Sequence, residues 1–84
     1  MAITTYKIIY SNGYVVECRS QNKLKTALRI SMRTIYNMFE RGYGTFKDLD
    51  IVELQRCYND ICVAKVTNRE REKLGIENEK YINF

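Results

Sequence analysis

The chain has no histidine, no proline and no tryptophan in its 84 residues, and only four glycines. Without histidine it offers no imidazole base, no Ser-His or Cys-His nucleophile pair and no imidazole metal ligand. It also lacks a glycine-rich phosphate loop and any constellation of carboxylates at recognisable spacing, so no enzyme activity is expected. Of its three cysteines, Cys18, Cys57 and Cys62, the last two do not stand at zinc-ligand spacing, and without histidine a structural zinc site would need four thiolates or carboxylates. They read as reduced thiols packed as small hydrophobes, with no metal and no cofactor. No run of about twenty apolar residues is present, so no membrane helix and no membrane partner are expected. Residues 1–7 carry no basic leader followed by an apolar block, which points to a cytoplasmic protein. No stretch reads as a linker, a repeat or a low-complexity tract, and the length fits one domain over residues 1–84.

What is present is apolar enough to fold, at 45% hydrophobic residues. Seven tyrosines and three phenylalanines make the chain aromatic-rich. Isoleucine, lysine, asparagine and tyrosine are frequent; their codons are AT-rich, which suits an AT-rich bacterial or phage genome, and the host cytoplasm if the chain is phage-encoded. The net charge is +4, unevenly placed: residues 1–18 sum to zero, residues 19–47 to +6, and residues 48–84 to −2. The positive excess is a candidate polyanion-binding surface.

Residues 3–19 are rich in Ile, Tyr, Val and Thr around Ser11-Asn12-Gly13 and read as a hairpin. A three-residue loop sets Ile8 opposite Val16, Tyr6 opposite Cys18 and Tyr10 opposite Tyr14, with Lys7 against Glu17 on the other face. Gly13 takes the left-handed position. A helical pair follows over residues 22–41. Gln21-Asn22 cap a helix from Lys23 to Arg29, and Ser31 caps a second, which Gly42 stops. Residues 50–66 read as a second hairpin with the loop Tyr58-Asn59-Asp60, placing Val52 opposite Val66, Leu54 opposite Ala64 and Glu53 opposite Lys65; residues 49–57 read either as strand or as helix. Thr67 and Glu70 form a capping box for a charged, solvated helix over residues 68–74, and a tail, residues 75–84, docks through Ile76, Tyr81, Ile82 and Phe84 or frays. The expected fold is α+β, β-β-α-α-β-β-α, with antiparallel hairpins packed on the helical pair.

Leu24, Leu28, Ile30, Ile35 and Met38 follow the spacing i, i+4, i+6, i+11, i+14. With Ser31 as cap and Ile35 as mid-helix anchor, residues 23–42 resemble the helix-turn-helix of phage-repressor-type DNA-binding proteins. At two positions the family differs: it carries a small residue where this chain has Lys25, and glycine in the turn where this chain has Arg29, an arginine that suits a backbone that is not strongly left-handed. The resemblance implies a regulatory protein that contacts duplex DNA with the second helix in the major groove. Base contacts would come from Ser31, Met32, Arg33, Tyr36 and Asn37, with Arg33 suited to guanine and Asn37 to adenine. Phosphate contacts would come from Lys23, Lys25, Arg29, Arg41 and Lys47. A homodimer on a two-fold site would multiply so few contacts. A variant is single-strand binding on a tyrosine-bearing sheet face.

A second class of function starts from the aromatics. Tyr36, Phe39, Tyr43 and Phe46 fall close together around Arg41-Gly42-Tyr43-Gly44-Thr45-Phe46. They would suit a protein interface, as in a small phage-type inhibitor of a host enzyme or of a nucleic-acid-handling complex.

Overall fold

Tyr6, Ile8 and Tyr10 recur at every second position of Thr4–Tyr10 (β1), and Val16 and Cys18 do so in Val15–Cys18 (β2), which gives each strand an apolar face to turn toward the helices. The computed structural model describes residues 3–73. β1 and β2 pair antiparallel with Tyr6 opposite Cys18, Lys7 opposite Glu17 and Ile8 opposite Val16, the register expected from the charge and apolar pairing. Gly13 closes the loop at φ +90°, a left-handed backbone that glycine adopts without strain. The Gly13 N–H donates to the Tyr10 carbonyl at 2.9 Å.

The chain continues through α1 (Gln21–Leu28), α2 (Met32–Arg41), a two-residue strand β3 (Tyr43–Gly44), β4 (Ile51–Tyr58), β5 (Ile61–Asn68) and a short α3 (Arg69–Lys73). The order β-β-α-α-β-β-α holds, with β3 as a small addition. Residues 51–57 are strand. Five strands form one sheet in the order β2-β1-β4-β5-β3. All neighbours are antiparallel except β3, which runs parallel to β5. Gly44 sits in β3 because the Met38 side chain lies on its backbone; a Cβ there would stand 2.5 Å from the Met38 sulfur.

The second hairpin departs from the expected pairing. Its loop has two residues, Asn59 and Asp60, both left-handed at φ 50° and 67°. Asparagine and aspartate tolerate that region better than other non-glycine residues, and a two-residue turn with φ positive at both positions matches the twist of the flanking strands. Tyr58 therefore pairs with Ile61 instead of lying in the loop. Shortening the loop by one residue would by itself turn every side chain of β5 to the wrong face. A bulge between Arg56 and Cys57 adds a second shift. Leu54 then faces Val66 rather than Ala64, and Glu53 faces Thr67 rather than Lys65. The apolar face is preserved by a different route.

One face of the sheet packs under the helices. Tyr6, Ile8, Leu54 and Val66 meet Leu24, Ile35 and Met38 in a single core that also holds Cys18, Phe46 and Ile51. Leu28, Ile30, Met32 and Phe39 pack around it, half-buried. The opposite sheet face carries Lys7, Glu53, Gln55, Lys65 and Thr67 by alternation.

Two helix starts differ from the sequence reading. α1 begins at Gln21, and its cap is Ser20 rather than Gln21-Asn22: the Ser20 hydroxyl accepts from the Lys23 amide at 3.1 Å, and a serine hydroxyl is the stronger cap. At α3 the cap is Asn68, not Thr67, because β5 runs through Thr67 and fixes it in the ladder. Asn68 is 3% exposed. Its Oδ1 accepts from the Glu70 amide at 3.0 Å and the Phe46 amide at 3.4 Å, and its Nδ2 donates to the Ile51 carbonyl at 2.7 Å and the Asp48 carbonyl at 3.4 Å. α3 is also less solvated than its charge suggests: Arg71 is buried and donates to the Leu49 carbonyl. A long side chain with one aliphatic stem and several donors can go inside where carbonyls await it. The expected end of that helix at residue 74 and the tail, residues 75–84, lie outside the described residues.

Candidate nucleic-acid interface

The surface of interest is α2. Ser31 begins it in extended backbone, with its hydroxyl accepting from the Thr34 amide at 3.3 Å and lying 3.0 Å from the Thr34 hydroxyl. Gly42 ends it in the left-handed region, its N–H donating to the Met38 carbonyl at 2.8 Å. Ile35 and Met38 fix the inward side. At 3.6 residues per turn, that leaves Arg33, Asn37 and Glu40 on the opposite side, and all three are exposed. Among the described residues, neither Arg33 nor Asn37 has a side-chain hydrogen bond or ion pair.

The other expected base contacts are less free. Tyr36 is 50% exposed, but its hydroxyl accepts from the Gln21 amide nitrogen at 3.1 Å, which also reaches the Tyr6 hydroxyl at 3.4 Å. Met32 is half-buried against the core. Ser31 is exposed with its hydroxyl committed to the cap. Gln21 thus links the start of α1 to the middle of α2, and nothing in its own sequence context marks it for that role.

The expected phosphate-contacting cations are all exposed, but they do not lie together. Arg29, Arg41 and Lys47 line one open cleft of ≈ 900 Å³ between the α1–α2 turn, one flank of α2 and residues 45–49. Asp48 and Glu70 stand on the same cleft, as do Tyr10 and Thr34. Burial, then Asp48, push the Tyr10 phenol above its ordinary value. Lys23 lies on a separate shallow depression on α1 with Asn22, Thr26 and Ala27. Lys25 joins neither group.

Arg29 has a backbone that the sequence alone did not suggest. It is the left-handed residue that ends α1, at φ 58° and ψ 41°, its N–H donating to the Lys25 carbonyl at 2.8 Å. The expectation of a backbone that is not left-handed fails there. The three-residue turn between Leu28 and Met32 must reverse direction sharply while keeping Ile30 against the core, and one left-handed residue does that.

The aromatics that suggested a protein interface do not form one exposed cluster. Phe46 is 3% exposed in the core, because the Asn68 side chain holds its backbone inward. Phe39 is half-buried, 6.1 Å from the Tyr6 ring, with the Arg56 guanidinium 5.1 Å from its centroid. Tyr43 is half-buried between Arg69, 3.7 Å from its ring centroid, and Arg41, 5.1 Å away. Tyr6 and Tyr10, the tyrosines of β1, turn toward the helix-covered face, so they offer no stacking platform on the open sheet face.

Among the described residues there is no cluster of three or more metal-ligating side chains, and no helix is long and apolar enough to cross a membrane. Comparison with protein-family models, with curated proteins and with solved structures finds no match.

Proposed function

We propose that this chain is a small DNA-binding regulatory protein that enters the major groove of duplex DNA with α2. The observation that carries the reading is the outer face of α2, where Arg33 and Asn37 stand exposed, with no internal partner among the described residues. An arginine fork matches the acceptor pair of guanine and an asparagine amide matches the donor–acceptor pair of adenine. Three further features support it. Eight residues of α1, a three-residue turn with one left-handed residue and a capped α2 give the proportions of a helix-turn-helix. Leu24, Ile35 and Met38 are buried, with Leu28 and Ile30 beside them, so the apolar spacing is used to join the two helices to the sheet. Residues 19–47, which include both helices, carry a +6 charge excess, and Arg29, Arg41 and Lys47 line a cleft on one flank of α2.

In this reading Arg33 and Asn37 read bases, and Tyr36 stands beside them with its ring available and its hydroxyl held by Gln21. Arg29, Arg41 and Lys47 follow one phosphate strand along the cleft side, and Lys23 and Lys25 neutralise phosphates from α1. A homodimer on a two-fold site is the natural stoichiometry for so small a reading head.

Titration of duplex DNA at increasing salt tests the electrostatic half of the proposal. Each neutralised phosphate contributes about −0.9 to the slope of log affinity against log salt. Lys25→Ala and Lys47→Ala are each expected to flatten that slope by about 1 and to weaken all sequences alike. Binding that is absent at low salt, or insensitive to salt, would overturn it.

A further inference from the structure

The β4–β5 hairpin brings two of the three cysteines together. Cys57 in β4 and Cys62 in β5 are direct cross-strand partners, one step in from the turn Asn59-Asp60. A two-residue loop makes Tyr58 and Ile61 the hydrogen-bonded pair that closes the hairpin. The next pair out is then of the non-hydrogen-bonded kind, with Cα atoms about 4.5 Å apart and side chains closest. That falls within the roughly 4.4–6.8 Å that a disulfide spans. The Cys62 thiol donates to the Ala64 carbonyl of its own strand at 3.6 Å. Both are free in this structure, Cys57 buried at 1% exposure and Cys62 exposed. Cys18 is buried in the core under the helices, on the other face of the sheet.

We infer that Cys57 and Cys62 form a reversible intramolecular disulfide, with Cys62 as the residue first oxidised by a peroxide and Cys57 as the residue that resolves it. Exposure sets the order: peroxide in solution reaches Cys62 and not Cys57. Burial pushes the Cys57 thiol up, and Cys62 and Asp60 push it further against the opposing pull of Lys7, so Cys57 is the poorer first nucleophile. In the first step the Cys62 thiolate attacks hydrogen peroxide; the O–O bond breaks, hydroxide leaves and the sulfur becomes a sulfenic acid. In the second the Cys57 sulfur gives up its proton and attacks the Cys62 sulfur; the S–S bond forms, the S–O bond breaks and water leaves. Two thiols and one peroxide give one disulfide and two waters. A dithiol reductant reverses it by thiol–disulfide exchange.

The test is peptide mass spectrometry of the intact protein after hydrogen peroxide, then iodoacetamide, then trypsin. Cleavage after Arg56 and Lys65 leaves both cysteines in one peptide, residues 57–65, with Cys18 in another. The expected result is that peptide lighter by two hydrogens, taking up no iodoacetamide, and restored to a doubly alkylated form by dithiothreitol. In Cys62→Ser, a change on the surface, Cys57 should remain an unoxidised thiol under the same exposure. A sulfenic-acid reagent present during oxidation should be found on Cys62. Sulfinic or sulfonic acid on Cys62 with Cys57 still free would overturn the inference. So would a disulfide joining two chains or involving Cys18, or oxidation of Cys57 in the Cys62→Ser protein.

Discussion

Asn68 with Arg71 and Asn37 with Arg33 are the same two residue types, set on opposite parts of the molecule to opposite effect. Asn68 fills all four of its hydrogen-bonding positions with backbone groups of residues 46, 48, 51 and 70. Arg71 reaches in beside it to the Leu49 carbonyl. Together they tie residues 46–51 to β5 and α3. Asn37 and Arg33 stand exposed on α2, and their side chains bond to no described side chain or backbone group. A side-chain amide is costly to bury unless its donors and acceptors are met, and at Asn68, where all are met, it holds the fold. The same groups left outward contribute little to folding and are free to bond elsewhere. Their chemistry is common to both sites; burial separates them.

The contrast breaks first at Asn68. Asn68→Ala strands two amides and two carbonyls in the interior, and a loss of about 3 kcal/mol is expected in denaturant unfolding. A loss below about 1 kcal/mol would mean that water replaces the amide and that Asn68 does not hold residues 46–51 in place. A smaller and opposite effect belongs to Arg29, which stays left-handed at the cost of its Cβ. Arg29→Gly should raise stability by about 0.5–1 kcal/mol by the same unfolding measurement, while weakening DNA binding through the lost charge. Stability and affinity moving in opposite directions from one substitution would sharpen the division between folding and recognition.

Much of the frame could be read from residue pattern. The first hairpin followed from pairing Lys7 with Glu17 and Ile8 with Val16, since only one loop length keeps both faces consistent. Ser31 and Gly42 marked the ends of α2 because hydroxyl caps and left-handed glycines are local devices. What escaped was set by partners distant in sequence. Asn68 looked like part of a capping box, but its value comes from Phe46 and Ile51, 22 and 17 residues away. Arg71 looked solvated because carbonyls awaiting it leave no trace in its neighbours. The second hairpin hid a two-residue turn and a bulge whose shifts together preserve the apolar face, so face pairing could not reveal them. At the candidate interface, Arg33 and Asn37 were legible from helical spacing. Phe46 and Tyr43 were not, because adjacency in sequence did not keep them together on the surface.

In the proposed function the outer face of α2 reads DNA sequence while contributing nothing to the fold. Selection from a pool of random duplexes at moderate salt, run with the wild type and with Arg33→Ala/Asn37→Ala, tests it most directly, each protein first being checked for thermal stability. The expected result is melting temperatures that agree within a few degrees, an enriched motif with two-fold symmetry for the wild type, and loss of preference at the guanine and adenine positions in the variant, worth about 1–3 kcal/mol for each contact. A wild-type pool that stays random, or a variant that enriches the same motif with equal strength, would contradict it.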